Sequence, residues 1–502
     1  MGIVNKIMEI MMRNRMNVIE ESIANPIGTQ ERVLFHNLKK GKSTIYGKKY
    51  HFNEIKRIHD FQRQVPAVHY EDFEPYIELA RKGEKDVTWN GKIKWFAKSS
   101  GTTNAKSKFI PISKESLEDC HYAAGKTMFA LYLNANPETD IFTCKNLRIG
   151  GSSELYQKYD TRFGDLSAIL IDNLPFYAEM KNIPNREISL MSDWNTKMVA
   201  IINACKNEDV GSLTGVPSWM LVVLNKLLET TGKNYLDELW PNLEVFFHGG
   251  ISFKPYAENY NLITKKQLNY FELYNASEGF FGIQDQLHNK DLLLLLDNGI
   301  FYEFIPMEDF GSDDQRFLTI AEVEVGKNYA MVITTNGGLW RYIIGDTVRF
   351  TSTNPHRIVV SGRTKHYINA FGEELMIENA EEALKRTCLQ TNSIISDYTA
   401  GPIFMEGKEK GAHEWIIEFD KEPEDFDLFV KILDKSLQDV NSDYEAKRYN
   451  NMTLNPPVVH KARKQLFFEW MASRGKLGGQ NKVPRLSNTR EFIEPLIKLN
   501  QL

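Results

Sequence analysis

One short stretch constrains this chain more than any other: Lys98-Ser99-Ser100-Gly101-Thr102-Thr103-Asn104-Ala105-Lys106-Ser107-Lys108, set between a strand-like run and a helix-like one. Hydroxyls, a glycine and lysines are concentrated there and bulky side chains are absent. Backbone N–H groups, hydroxyls and ammonium charge can therefore converge on one small anion, and a triphosphate needs that density of donors at short range. The glycine spacing and terminal Gly-Lys-Ser/Thr of the common kinase and GTPase phosphate loop are missing, which implies a different nucleotide fold. Composition alone equally describes a solvated Ser/Thr/Lys turn, the commoner case, so context has to choose between them.

Three further islands supply context. Tyr274-Asn275-Ala276-Ser277-Glu278-Gly279 places a carboxylate behind a small-residue turn and an aromatic, as a Mg²⁺ ligand beside a base-stacking surface would be placed. Tyr342-Ile343-Ile344-Gly345-Asp346 sets an aspartate just past a β run, where its two oxygens can accept hydrogen bonds from a ribose diol. Gly478-Gly479-Gln480-Asn481-Lys482 carries a lysine in a glycine-led segment, and a mobile cation suits charge that develops transiently. Each is weak singly, since a Gly-Asp turn after a strand is common.

At 502 residues the chain is too long for one ordinary core, and its 42% hydrophobic and 25% charged residues are values of a folded globular protein. A net charge of −5 argues against a nucleic-acid partner, which would call for a basic face. Cys120, Cys144, Cys205 and Cys388 lie too far apart for a metal-type pair or a disulfide framework, which fits a reducing cytoplasm. Lys6, Glu9, Arg13 and Arg15 break any apolar signal core, and the longest aliphatic run, Leu292–Leu296, is far too short to cross a bilayer. A soluble, cytoplasmic protein with no membrane partner is expected.

Ile3, Ile7, Ile10 and Met11 recur at helical spacing and predict an opening amphipathic helix packed on the body through that stripe. Past Gly91, strand-like Ile93–Ala97, Asn146–Gly150 and Leu243–His248 alternate with helix-like Lys114–Leu133 and Val216–Leu228, which predicts α/β architecture. From Leu292 to Val360 short β runs with hairpin turns at Asp297-Asn298-Gly299 and Asn336-Gly337-Gly338 predict antiparallel sheet. After Ser361-Gly362-Arg363 come helix-like Ile377–Arg386, strand-like Glu414–Phe419, helix-like Asp425–Asp439 and the Gly/Lys-rich Arg474–Lys482, so a domain boundary is placed near residue 366.

In this order the islands resemble the firefly-luciferase-like adenylate-forming superfamily. They resemble more closely its auxin-responsive branch, the acyl-acid amido synthetases, through Ser99–Pro111, Tyr274–Gly279, Leu339–Asp346 and Gly479–Arg485. The resemblance implies a mixed α/β fold: a large N-terminal domain, 1–366, with α/β layers and a β-rich subdomain that binds ATP and the acyl acid. A small mobile α+β C-terminal domain, 367–502, would carry the catalytic lysine. It implies an ATP- and Mg²⁺-dependent ligase that adenylates a carboxylic acid and transfers the acyl group to an amine, an amino acid by family expectation. By carry-over, Ser99, Ser100, Gly101, Thr102 and Thr103 with Lys106 or Lys108 hold the β- and γ-phosphates, and Glu278 is the Mg²⁺ ligand. Gly249, Gly250, Tyr274, Asn275, Ala276 and Ser277 line the adenine; Asp346, assisted by Arg363, takes the ribose hydroxyls; Lys482 stabilises the adenylation transition state. A monomer is expected.

The hinge departs from the wider superfamily, because Ser361-Gly362-Arg363-Thr364-Lys365 lacks its aspartate and Phe371-Gly372-Glu373-Glu374 is not what the plant members carry. Phe163, Leu213, Val216, Pro217 and Trp219 lie in stretches that could reach an acyl pocket, although periodicity cannot separate pocket wall from core. His248 and Trp340 read as core residues. Two rivals stand beside the amido synthetase: an acyl-coenzyme A ligase, which differs in the acceptor, and a catalytically silent nucleotide-binding module. Retention of Glu278, Asp346 and Lys482 argues against the second.

Overall fold

The computed structural model describes residues 3–99, 108–150, 155–251, 253, 256–364, 367–407, 409–449, 453–473 and 483–501. Within them the central feature is an eleven-stranded sheet that changes character halfway across. One half is parallel: Asn182–Ile183, Lys145–Arg148, Val210–Gly215, Val245–Gly249 and Asn269–Ala276 are neighbours in that order. The other half, from Gly279–Gln284 through Leu292–Leu294, His356–Arg363, Tyr342–Thr353 and Asn328–Thr335 to the edge strand Ile300–Pro306, is antiparallel. This is the predicted switch from α/β to antiparallel sheet.

The parallel strands are apolar because both of their faces are covered. Successive side chains alternate across a strand, so Val245 and Phe247 pack with Met128 and Leu131 of helix Ala123–Ala135, while Phe246 packs in the cluster of Trp219, Met220 and Leu224 of helix Pro217–Thr231. A separate four-stranded sheet holds Trp95–Ser99 antiparallel to Lys108–Ile112, and the two strands flank the hydroxyl- and lysine-rich stretch. Beyond residue 366, strands Ile394–Ile403, Ala412–Lys421 and Val458–Ala462 form a third sheet, packed by helices Ile377–Thr391 and Phe426–Val440. Leu384, Trp415 and Phe429 of this part belong to the same buried cluster as Phe246 and Trp219.

Two expectations are corrected. The opening helix, Ile3–Ala24, packs on the body through Met12 and Ile19, one seven-residue step apart, whereas Ile10 and Met11 face solvent. The apolar stripe read from the first turns is thus not the packing face at those two positions. Asp297-Asn298-Gly299 is not a hairpin either: Leu292–Leu294 pairs with Gly279–Gln284 and His356–Arg363, and Ile300–Pro306 pairs with Asn328–Thr335 at the far edge. The turn carries the chain across the sheet. Asn336-Gly337-Gly338 does join paired neighbours.

The expected packing role of Trp340 holds, with its indole N–H donating to the Thr88 carbonyl at 2.9 Å and no exposed surface. Beside it, the buried Arg341 guanidinium makes a two-pronged pair with Glu303, Nε to Oε2 and Nη2 to Oε1, both at 2.9 Å. Its Nη1 donates to the carbonyls of Gln62 and Val65. These bonds dock the N-terminal helices on the sheet one residue before the strand that carries Asp346. Removing one member leaves an uncompensated buried charge, so Arg341→Met is expected to lower unfolding free energy by about 3–5 kcal/mol, read from urea midpoints.

Candidate active site

A cavity of about 1110 Å³ opens at the carboxyl ends of the parallel strands Val245–Gly249 and Asn269–Ala276, the usual ligand position in such sheets. Two glycines make that edge open. A Cβ on Gly249 would sit 2.4 Å from the Leu273 carbonyl oxygen, and Gly250 has φ +83°, which favours glycine. The backbone of strand Asn269–Ala276 then continues into the turn Ser277-Glu278, which returns as Gly279–Gln284.

Asp346 sits in the wall of the cavity with both oxygens engaged. The Tyr274 hydroxyl donates to Oδ2 at 2.7 Å and Arg363 Nε donates to Oδ1 at 2.8 Å. Local structure dictates the second contact, because Asp346 and Arg363 are register partners on adjacent antiparallel strands. Arg363 Nη2 also donates to Glu374 Oε1 at 3.1 Å, and its guanidinium lies 4.6 Å from the Tyr367 ring centre. Burial alone would lower the Arg363 pKa; Glu374 and Asp346 outweigh it and hold the guanidinium well above its usual range. Burial pushes the Tyr274 hydroxyl far up, so it stays a donor. Each carboxylate oxygen offers two lone pairs, so Asp346 retains capacity for two more donors.

Glu278 reaches the cavity from its turn and makes no ion pair among the described residues. Burial pushes its carboxyl up to about 7, against a pull from the Lys108 ammonium. Glu272 lies two residues before Tyr274 on the same strand face and is likewise raised to about 7 by burial, with Lys290 opposing. Lys108 stands 5.6 Å from the Tyr70 ring centre, and Tyr70 accepts the Phe109 amide at 2.9 Å.

Of the residues expected from sequence, Ser99, Lys108, Gly250, Tyr274, Asn275, Ala276, Ser277, Glu278, Asp346 and Arg363 all line this one cavity, with Gly249 directly behind Gly250. Ser100, Gly101, Thr102, Thr103, Lys106 and Lys482 lie outside the described residues. Tyr274 is 9% exposed, so it offers little ring face and serves mainly to seat Asp346. His248 is buried as expected, stacked 4.4 Å from Phe253, and burial with a smaller effect of Lys290 lowers its pKa to about 3.

Phe163, Leu213 and Trp219 are core residues, not cavity wall. Leu166, Leu170 and Ile251, with Ser167 beside them, are among the apolar residues that line the cavity instead. Sequence reading also missed His69, Tyr70, Glu272, Asn369, Glu374 and Asn488 in the lining. Leu166 and Leu170 keep helical spacing, but only tertiary placement separates such a pair from a core face.

Family sequence profiles match nearly the whole chain. The GH3 family N-terminal domain matches residues 15–268, the GH3 family central domain 293–363 and the GH3 family C-terminal domain 378–491. The chain belongs to the GH3 family. Indole-3-acetic acid-amido synthetase GH3.4 of Arabidopsis thaliana is 23% identical over 561 aligned positions, covering 96% of this chain and 92% of that protein. Jasmonoyl--L-amino acid synthetase JAR4 of Nicotiana attenuata is 25% identical over 64% of this chain and 66% of its own. Among solved structures, GH3.15 acyl acid amido synthetase shares the fold with a TM-score of 0.61 at 18% identity, over 97% of this chain and 95% of its own. A 2-hydroxyisobutyryl-CoA ligase shares it with a TM-score of 0.58 at 13% identity, over 95% and 93%. The GH3 fold of this chain is thus also the fold of an adenylate-forming ligase with a thiol acceptor.

The buried Glu272 has a pH signature. Its folded-state pKa of about 7 lies above the ordinary carboxyl value, so the folded protein holds this proton more tightly than the unfolded chain. Its contribution to stability therefore falls as pH rises from about 4 to about 7 and is flat above. Glu272→Gln removes that slope: urea midpoints of the variant are expected to gain on the wild type between pH 5 and pH 7, and the difference to stay constant from pH 7.5 to 8.5.

Proposed function

We propose that this GH3 protein is an ATP-dependent acyl-acid amido synthetase. It forms an acyl adenylate and pyrophosphate from a carboxylic acid and ATP, then transfers the acyl group to an amine, an amino acid as in the relatives named above. The observation that carries the reading is the convergence on one cavity of Lys108, Glu278 and the Tyr274–Asp346–Arg363 group, from four separate parts of the chain.

In the reading, AMP lies along the strand ends. Gly249 and Gly250 admit the adenine edge, Glu272 of the cavity lining accepts from its exocyclic amino group, and Asp346 accepts from the ribose hydroxyls. The stretch Ser99–Lys108 cradles the β- and γ-phosphates. The acid lies against Leu166, Leu170 and Ile251, with its carboxylate aimed at the α-phosphate. A carboxylate oxygen attacks that phosphorus as the bond to pyrophosphate breaks, so the chain's tasks are orientation and neutralisation of charge. Lys482 supplies the cation for that step. In the second half-reaction the neutral amine attacks the acyl carbonyl carbon, AMP departs with the bonding pair, and the nitrogen gives up one proton to solvent.

Mg²⁺ fits the donor set. Glu278 is a cavity carboxylate with no ion pair among the described residues, raised by burial against the pull of Lys108, and a divalent ion would restore its charge. No cluster of three acidic, His or Cys ligands exists among the described residues, which suits a hard ion held by one carboxylate together with substrate phosphates and water. When bound, such an ion neutralises phosphate charge. The reading further assigns binding of ATP and acid to residues 1–366 and the lysine to a mobile unit, 367–502, in a cytoplasmic monomer. The free, mostly buried cysteines fit a reducing compartment.

ATP–pyrophosphate exchange with a panel of aryl, indolyl and aliphatic acids tests the reading. Exchange with some acid is expected, lowered on the order of 10²-fold or more in Lys482→Ala and in Glu278→Ala; no exchange with any acid while ATP binds favours the silent module. Asp346→Asn keeps shape but loses charge and is expected to raise the KM for ATP roughly tenfold with a smaller change in kcat. Adding amino acids or coenzyme A to the preformed adenylate separates amide from thioester formation: consumption with coenzyme A alone would make the protein a thiol ligase.

A further inference from the structure

Residues 369–374 form a turn pinned from several directions. The Tyr256 hydroxyl donates to the Ala370 carbonyl at 2.6 Å and the Ser218 hydroxyl to the Phe371 carbonyl at 3.2 Å. Asn369 accepts the Glu374 amide at 3.2 Å through its side chain, while its own Nδ2 donates to the Gly250 carbonyl at 3.1 Å. Asn441 Nδ2 donates to the Glu374 carbonyl at 3.2 Å. Two residues of the turn have left-handed backbone, Gly372 at φ +87° and Glu374 at φ +39°. For a glutamate that conformation is strained, and it persists only where the surroundings over-determine it.

The strongest constraint comes from Glu373. It has no exposed surface; its Oε1 accepts the Ala370 amide at 3.2 Å, its Oε2 accepts the Phe371 amide at 2.7 Å, and His413 Nε2 lies 2.8 Å from Oε1. His413 is equally buried, and its Nδ1 has no partner, so the imidazole donates through Nε2. The buried Lys447 flanks the same turn, its Cε 3.4 Å from where a Cβ on Gly372 would lie. Neither Glu373 nor His413 is in the cavity lining. The next residue is: the Glu374 carboxylate holds Arg363, and Arg363 holds Asp346. Two of the three hydrogen bonds to the Glu373 carboxylate come from backbone amides of its own turn and the third from His413, so the pair bears directly on the backbone conformation of that turn.

We propose that Glu373 and His413 are positioning residues for the nucleotide site. They lock the turn in the one conformation from which Glu374 reaches Arg363, and thereby set Asp346 for the ribose. The proposal rests on the reading of Asp346 given above. It makes the third sheet, through His413 on strand Ala412–Lys421, part of the machinery that shapes AMP affinity, although that residue touches no ligand.

AMP titration calorimetry on the full chain, with thermal melts alongside, tests it. Glu374→Gln and Glu373→Gln are each expected to weaken AMP about tenfold, and the double variant no further, because both act by one route. His413→Gln, which keeps a donor near the Nε2 position, is expected to bind AMP as wild type does, and His413→Phe to bind it about tenfold more weakly. This second pair decides the matter if Glu373→Gln does not fold. Folded Glu373→Gln with wild-type affinity, multiplicative losses in the double variant, or equal affinity in the two His413 variants would each overturn the proposal alone. A wild-type chain that binds no AMP would overturn the functional reading and this proposal with it.

Discussion

The Asp346 carboxylate, gripped by a tyrosine hydroxyl on one oxygen and a guanidinium on the other, is the point on which the site depends. Tyr274 comes from the last parallel strand, Asp346 and Arg363 from two antiparallel strands, and Glu374, the second anchor of Arg363, from the turn that opens the C-terminal part. A carboxylate half in a wall and half in a cavity would otherwise swing between solvent and neighbours. Here one lone pair of each oxygen is used by the protein and the others stay available, so the carboxylate is oriented before any donor reaches it from the cavity.

Arg341 and Trp340, immediately before the strand that carries Asp346, tie it to strand Ile300–Pro306 through Glu303 and to the N-terminal part through the carbonyls of Gln62, Val65 and Thr88. Within the signature Leu339–Asp346 the first residues are therefore anchors and the last faces the cavity. Resemblance to a family marks the whole segment alike; burial separates the two roles.

The large cavity joins two chemistries because the sheet joins two architectures. Parallel strands end together and leave an open edge of glycines and a turn carboxylate, suited to the approach of a flat, anionic ligand. The antiparallel half brings long strands past that edge and delivers Asp346 and Arg363 side by side. The turn at 369–374 and the segment around Asn488 close the remaining side with Asn369, Glu374 and Asn488, and the third sheet shares one apolar cluster with the parallel half. Family membership agrees with this fold, which an acyl acid amido synthetase and a coenzyme A ligase also share.

Much was legible in the residues themselves. The α/β-to-antiparallel switch follows from apolar runs buried on two faces giving way to alternating short strands. The carry-over residues that are described fall in short segments of glycine, hydroxyl and charge that are visible locally in the sequence, and all but Gly249 line one cavity. What had no local imprint was decided by packing. Asp297-Asn298-Gly299 has the composition of a hairpin turn, yet strand pairing is a long-range choice and sent its two strands to distant places in the sheet. Ile10 and Met11 are as apolar as Met12 and Ile19, and only the position of helix Ala123–Ala135 selects which pair is covered. Leu170 and Leu213 look alike in sequence, but one faces the cavity and the other the core. The chain by itself thus determined the class of fold and the chemistry of the residues that line its cavity. Tertiary structure alone decided which apolar residues reach that lining and how Glu373, outside it, is joined to Asp346, because both depend on contacts between segments far apart in sequence.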